Sequence, residues 1–361
     1  MHHKIGNDKM KKILYTAIAF VISNTTSFAQ FRLEHLDLSV TGGCDGVGFE
    51  LATPINDRFR LRTGASFFSG SANDIKFDIE MGDYNPLLSL DQNKELSAEK
   101  FYKIANTLEG VTSEKIEKEV SIINNFSFNN FKLLVDYYPL KNKHWHVTAG
   151  FYWGNRTIQK FYNTTTDMTE LMVVTMYNNM RKSALAEEPL LTYNNLSVYL
   201  PATFTSDIIE YGDMSIVIGE YSHDIYAKED IFWDHDALDP ITGEYLYQKG
   251  DLRYAKGDLI HKSGDIYQMQ PDETNMVKVN TKVNSFRPYI GMGYDAFITK
   301  DKRTSLSFNA GLMYYGKPEI TTHDGLNVNK DLITHNSKFE DSLFSSSFYP
   351  VINIKITSRL F

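Results

Sequence analysis

The sequence predicts an all-β membrane fold, an eight-stranded antiparallel up-and-down transmembrane β-barrel with long, partly helical loop insertions. Three observations predict it. The stretch 350–361 alternates apolar Ile352, Ile354, Ile356 and Leu360 with polar Asn353, Lys355, Thr357 and Arg359, and stops on Phe361. That is the pattern of a strand with one face in lipid and an aromatic at the interface. Near the other end, Met10-Lys11-Lys12 leads into the apolar run 13–22 and then Ser27-Phe28-Ala29 before Gln30. Charged, apolar and small-residue regions in that order read as a secretory signal peptide, so 1–29 is expected to be an N-terminal extension plus cleaved signal, and 30–361 the barrel. Third, period-2 alternation recurs in eight places.

The first place is 35–40, with Leu36, Leu38 and Val40 on one face, and the second is 47–53, with Val47, Phe49 and Leu51. A Pro54-Ile55-Asn56-Asp57 turn leads to the third, 58–68, where Phe59, Leu61, Ala65 and Phe67 alternate with Arg58, Arg60, Arg62 and Ser66. The fourth, 126–138, sets Phe131, Leu133, Val135 and Tyr137 on one side; the fifth, 145–154, presents Trp145, Val147, Ala149, Phe151 and Trp153. The sixth, 284–297, carries Ile290, Met292, Tyr294 and Ala296, and the seventh, 304–315, carries Leu306, Phe308, Ala310, Leu312 and Tyr314. The terminal stretch is the eighth.

Connections 2–3, 4–5 and 6–7 are short, whereas 3–4, 5–6 and 7–8 are long. Outer-membrane barrels keep short turns in the periplasm and long loops outside. An even strand number then leaves both termini periplasmic, as export requires. Extracellular insertions are therefore expected at 70–125, 156–283 and 317–346. Within them, 91–121 and 171–185 have rough helical spacing, and 215–219 is extended. Gly250-Asp251, Gly257-Asp258 and Gly264-Asp265 recur every seven residues, which suggests stacked hairpins. Loops this long are functional or disordered, and their aromatic content favours order.

Composition agrees. The chain has 361 residues and a net charge of −8; residues 1–29 contribute four Lys and one Asp, leaving −11 for 30–361. An acidic surface argues against nucleic acid as a partner. Beyond the signal region nothing approaches the roughly 18–20 apolar residues of a spanning helix. A mean hydropathy of −0.33 does not weigh against a barrel, because only alternate residues meet lipid. The single Cys44 excludes an intramolecular disulfide. The stretch before Met10, with His2 and His3, reads as an upstream extension.

The segments VGFELATPINDRFRLRTGASF (47–67), LLVDYYP (133–139), HVTAGFYW (146–153), RPYIGMGY (287–294), FNAGLMYYGKP (308–318) and 349–361 resemble a small outer-membrane β-barrel family of Gram-negative bacteria, OmpA/OmpX-like in strand count. The resemblance covers the eight strands, about a third of the chain. It implies export, outer-membrane lipid and the outer-membrane assembly machinery as partners, and no common activity. The large loops are where this sequence departs from it.

If the apolar set faces lipid, the opposite set lines the lumen as a charge network of Asp37, Glu50, Arg58, Arg60, Arg62, Lys132, Asp136, Arg287, Asp295, Lys355 and Arg359. Eight strands leave an interior only wide enough for side chains, so the favoured expectation is a salt-bridged plug; an anion-preferring pore is the alternative. Gly291-Met292-Gly293 lacks the following helix a phosphate loop needs. Tyr137, Trp145, Phe297 and Phe361 near the short turns, and Phe67, Trp153, Tyr314 and Tyr349 near the long loops, are expected to form interfacial aromatic girdles. Asp234-His235-Asp236 with Asp239 offers hard oxygen ligands, but Leu238 breaks the EF-hand spacing and a solvated acidic turn is the simpler reading. His223-Asp224 and His323-Asp324 are adjacent pairs, which on a strand point to opposite faces. No catalytic, cofactor or metal residue is therefore nominated. The expectation is a non-enzymatic surface protein whose loops contact a protein or glycan through Tyr84, Tyr102, Tyr162, Tyr193, Tyr199, Tyr221, Trp233, Tyr245 and Tyr247, with a small pore and a lipid-active enzyme as lesser readings.

Overall fold

Every one of the eight alternating segments becomes a strand, and the hydrogen-bonded ladder returns to its start. The computed structural model describes residues 35–360 apart from 86, 113–114, 165–167, 195, 240–241, 243, 335 and 344–345. The expected signal region and Phe361 lie outside the described residues. The barrel strands are β1 (Asp37–Gly43), β2 (Gly46–Pro54), β3 (Phe59–Met81), β4 (Glu119–Tyr137), β5 (Trp145–Gly154), β6 (Phe286–Phe297), β7 (Thr304–Tyr314) and β8 (Phe348–Arg359). Consecutive strands pair antiparallel, and β8 pairs β1 from Asp37↔Arg359 to Gly43↔Asn353. Closure gives each of the eight strands a partner on both sides over part of its length. The wall is uneven, since β1 has 7 residues and β3 has 23.

Within this ring the pleat puts apolar residues outside and polar ones inside, apart from an inward apolar cluster that includes Leu134, Met313 and Val351. Val40, Phe49, Phe67, Phe131, Trp145, Ile290, Phe308 and Ile354 are exposed, while Thr41, Glu50, Lys132, Asp136, Asn309 and Lys355 are buried. Gly291 and Gly311 leave room for the Tyr289 ring, and Gly293 for the His146 imidazole.

The polarity then reverses along one ladder. A β-bulge between Ala72 and Ile75 shifts the β3–β4 register. Beyond it the inward residues Ile75, Phe77, Ile79, Val120 and Ile122 are buried and apolar. The other face carries exposed Lys76, Asp78 and Glu119 beside half-buried Ser121 and Ile123, with Lys76 2.5 Å from Glu119 and Lys118 3.2 Å from Asp78. Strands read as 58–68 and 126–138 therefore run on through 70–81 and 119–125, positions expected to be loop. The alternation inverts there instead of stopping, and the bulge hides its continuity.

The three insertions share one hydrophobic core. Ile79, Phe101, Ile104 and Val120 from the first, Leu171, Val174, Ile216 and Met269 from the second, and Ile320, Val328 and Phe339 from the third pack in a single cluster. Further strands extend the wall: Thr157–Asn163 pairs β4 and Lys278–Lys282, which pairs Glu319–Thr322. Met214–Tyr221 pairs the end of β3, Ile266–Met269 and Leu332–Thr334. Helices α1 (Leu90–Thr112), α2 (Met168–Leu185) and α3 (Ala202–Tyr211) cover this cap. A reciprocal capping box opens α1: Gln92 N donates to Ser89 Oγ at 3.2 Å and Ser89 N to Gln92 Oε1 at 2.9 Å. The helical run read to 121 ends at Thr112, and Val120 is already in β4.

The glycine–aspartate repeat forms one bulged hairpin arm, not stacked hairpins. Pairings Ile225↔His261, Ile231↔Tyr254 and Ala237↔Tyr247 advance six residues on one limb and seven on the other, and a register shift follows each. The extra residue at each level is Leu246, Arg253 or Ile260, and Gly250, Gly257 and Gly264 turn the limb between levels at φ of 95°, 96° and 89°. At each level the Asp after the glycine accepts a backbone N–H three residues upstream, from Gln248, Ala255 and Lys262. Space around these glycines is open, so a substitution there strains only the backbone, by about 1–2 kcal/mol. Gly257→Ala should speed hydrogen exchange of the Ala227 and Gly257 amides about tenfold while β1–β8 amides stay unchanged; unaltered arm exchange would contradict the repeat's dependence on positive φ.

Candidate functional site

Two regions concentrate chemistry: the lumen and the outer face of the cap. In the lumen the alternate residues of the strands converge because eight strands leave no room for solvent between them. Glu50 on β2 sits 2.9 Å from Lys132 Nζ, 3.2 Å from Arg62 Nη1 and 3.9 Å from Lys355 Nζ. Arg62 Nε reaches Asp136 at 3.0 Å, and Thr148 Oγ1 donates to Asp136 at 2.7 Å. Toward the short-turn end, Arg60 meets Asp37 at 2.9 Å and Arg359 approaches the same carboxylate at 3.7 Å. Asp295 accepts from Ser307 Oγ at 2.5 Å and Tyr138 Oη at 2.8 Å, with His146 Nδ1 at 3.6 Å. Acids and bases thus alternate down the barrel, and each of these buried charges faces its opposite.

Two expected members stand apart. Arg58 lies exposed on the β2–β3 turn, because the strand starts one residue later and the turn carries this side chain out of the lumen. Arg287 is buried but joins amides, not acids: Nε donates to Asn284 O at 2.8 Å, Nη2 to Asn155 O at 2.5 Å, and Nη1 to Asn130 Oδ1, with the guanidinium 4.5 Å from the Phe128 ring centre. Sequence reading missed Asp45, fully buried and 3.5 Å from Lys132 Nζ, because it sits in the two-residue β1–β2 turn where alternation gives no signal.

Outside the ring, Phe67, Trp145, Trp153 and Tyr314 are exposed, and Tyr137 and Phe297 half-buried. Phe59 packs on Tyr137 at 5.1 Å and Trp145 on Tyr294 at 5.1 Å. Tyr349 faces inward instead: its hydroxyl donates to Cys44 O at 2.6 Å and its ring packs on Phe128. Its neighbour Phe348 is the outward residue, against Tyr314 at 5.2 Å. Pleat parity requires this, since Tyr349 shares a face with buried Val351.

On the cap, Tyr102, Tyr193, Tyr199 and Tyr245 are exposed. Tyr221 is buried against His261, Trp233 is sandwiched between Tyr247 at 3.7 Å and Arg253 at 4.2 Å, Tyr84 donates to Glu80, and the Tyr162 hydroxyl bonds Asn125. The arm instead shows a face that residue type alone did not reveal: the cross-strand pairs Tyr226↔Leu259, Phe232↔Leu252 and Leu238↔Tyr245 recur along it. All but Leu238 of these side chains are more than a third exposed.

The acidic clusters serve the fold. Asp234 pairs with Lys182 at 2.6 Å and His235 Nδ1 at 2.6 Å; partial burial pushes its carboxyl up, but those two partners outweigh it and hold it at about 2. Asp236 accepts from Lys249 N and Asp239 from Thr242 N. No group of three metal-ligating side chains converges among the described residues. His223 faces Asp331 at 3.7 Å, not Asp224, and Asp324 accepts from Tyr267 and Thr322 rather than orienting His323.

No protein-family model and no curated protein matches the chain. Among solved structures it is similar to CarO2 of Acinetobacter baumannii, at 10% identity over 90% of this chain and 98% of that one, TM-score 0.34. It is similar to CarO of the same organism at 10% identity, 90% and 97% coverage and TM-score 0.35. A major outer membrane protein from Thermus thermophilus matches at 9% identity, 90% and 99% coverage and TM-score 0.28. Likenesses this distant bear on no residue or activity, and the case for a barrel rests on its own ladder.

Removing Glu50 would leave Lys355 without its carboxylate and Arg62 and Lys132 each with one fewer. Glu50→Ala should therefore lower the unfolding free energy by about 3–5 kcal/mol, read from urea titration of the folded barrel; an unchanged midpoint would remove Glu50 from the centre of the network.

Proposed function

We propose that this chain is a non-enzymatic outer-membrane β-barrel, exported with its signal removed, whose insertions fold into an extracellular cap for contact with a protein or glycan at the cell surface. The observation that carries this reading is the polarity reversal. All eight strands turn apolar residues outward at one level, and beyond the bulge the same ladder turns charges outward and apolar residues inward. An apolar belt around a closed ring suits hydrocarbon, and a closed ring is the only sheet that leaves no backbone group unpaired there. Among the described residues no helix is long and apolar enough to cross a membrane. The short turns at Ile55–Arg58, 138–144 and 298–303 suit the periplasm and the cap suits the outside.

Paired lumenal charges favour a structural plug over a pore. The working surface is then the cap, where the arm's apolar face and exposed Tyr102, Tyr193 and Tyr199 supply anchors of low side-chain entropy. Photocrosslinking residues at Phe232 and Tyr245 on intact cells should trap a surface partner, while the same probe at lipid-facing Leu312 traps none; equal silence at all three sites would overturn the contact reading. In planar bilayers the purified protein should show no steady conductance. A stepwise conductance lost in Arg60→Glu would favour the pore.

A further inference from the structure

Charge is segregated along the barrel axis. The insertions 70–125, 156–283 and 317–346 hold 36 acidic and 20 basic side chains, whereas the rest of 30–361 holds 8 acidic and 13 basic. Most lumenal charges are paired, so the basic excess emerges at the short-turn end. Arg58, Lys141, Lys143, Lys300 and Lys302 are exposed there, and among the described residues none of them has a carboxylate within salt-bridge distance.

The fold gathers these separate turns into one collar. Lys143, Lys302, Arg303, Arg359 and Arg60 line a cavity of about 130 Å³ at the barrel mouth together with Asp37, Asp57 and Asp295; Arg60 and Arg359 pair with Asp37 and Arg303 with Asp301, which leaves Lys143 and Lys302 as its exposed cations. Directly beside the collar stand the outward aromatics Phe59, Tyr137, Trp145 and Tyr294, and the Lys302 ammonium lies 5.5 Å from the Phe297 ring centre. Aromatic belts mark the interfacial level of a bilayer. Lysines on the adjoining turns, with long flexible stems, reach the level of the lipid phosphates.

We infer that this basic collar binds the phosphates of anionic phospholipids in the leaflet facing the short turns; the inference rests on the reading of the chain as a membrane-spanning barrel. Charge complementarity names the occupant. Basic side chains at a surface of anionic lipid are attracted within a Debye length of it, and the basic excess of the chain is concentrated at this end. The acidic cap disfavours the same phosphates on the opposite leaflet. The collar therefore selects lipid and fixes the sense in which the barrel sits.

The test uses the full chain reconstituted into vesicles of phosphatidylethanolamine and phosphatidylglycerol at about 3:1, with insertion scored by protease resistance of β1–β8 and retained lipids counted by native mass spectrometry. Phosphatidylglycerol should be retained about threefold or more above its bulk share. Lys141→Gln/Lys300→Gln/Lys302→Gln should bring it back to the bulk share, and Lys228→Gln/Lys249→Gln/Lys256→Gln on the cap arm should leave the enrichment intact. Retention at the bulk share by the inserted wild-type protein, or full enrichment in the collar variant, overturns the inference while the barrel reading stands. A collar that ignores lipid yet retains polyglutamate overturns it in favour of a soluble acidic partner. Failure to gain protease resistance in any vesicle overturns the membrane-spanning reading and this inference with it.

Discussion

A backbone that passes from one solvent into another must keep its amides paired while its side chains change sides. The β3–β4 hairpin meets both demands. Its ladder continues from Phe59↔Tyr137 to Asp78↔Glu119, so no amide is stranded where the belt of apolar residues ends. The bulge at Ala72–Ile75 re-phases β3 against β4, and on β4 the even positions change from Lys132 and Asp136 to Ile122 and Val120 with no break in the strand. One hairpin thereby belongs to a barrel with a polar inside and to a cap with an apolar inside. The cap's other strands are added to its two edges at and beyond the bulge, through Thr157–Asn163 on β4 and Met214–Tyr221 on the end of β3.

The lumen follows from the same constraint. Outward positions are apolar, so the inward ones are left to polar side chains, and in so narrow a ring those cannot reach bulk water. Glu50 faces three cations and Asp37 two, which offsets desolvation by placing these charges against their opposites. Amides and hydroxyls fill further positions, beside an apolar cluster that includes Leu134, Met313 and Val351: Ser39 bonds Thr357 across the β1–β8 seam at 2.8 Å, and Asn309 donates to Asn353 at 3.2 Å. Such contacts tie neighbouring strands from inside as the ladder ties them along the wall.

Sequence carried the barrel because a closed sheet with an apolar exterior imposes a strict period of two with one sign, which strands such as Trp145–Gly154 display without interruption. It carried which charges point inward for the same reason. It failed where a signal depends on context rather than period. Tyr349 and Phe348 are both aromatics near a strand end, and only the pleat decides which one leaves the lumen. Arg58 and Asp45 lie in turns, where alternation assigns no face. The cap was opaque because its core is assembled from three distant insertions, so no single stretch shows a complete apolar face; Phe339 packs against Phe77 and Phe161, residues far from it in the chain. The seven-residue spacing of Gly250, Gly257 and Gly264 was visible, but the six-residue limb facing it has no glycine to announce it.

The arm also shows how an exposed hairpin avoids pairing with another chain. A register shift at each level twists the edge and interrupts the row of free amides, leaving side chains, not backbone, as its means of contact. That arrangement has meaning only if the cap faces outward and the short turns face inward. Brief treatment of intact cells with a nonspecific protease, with cut sites mapped by mass spectrometry, tests this most directly. The account predicts cuts confined to the cap, concentrated in the arm between Tyr221 and Ile266, with β1–β8 and the three short turns protected. Cuts at Asn56, Lys141 or Lys302 in unpermeabilised cells, with the arm intact, would contradict it.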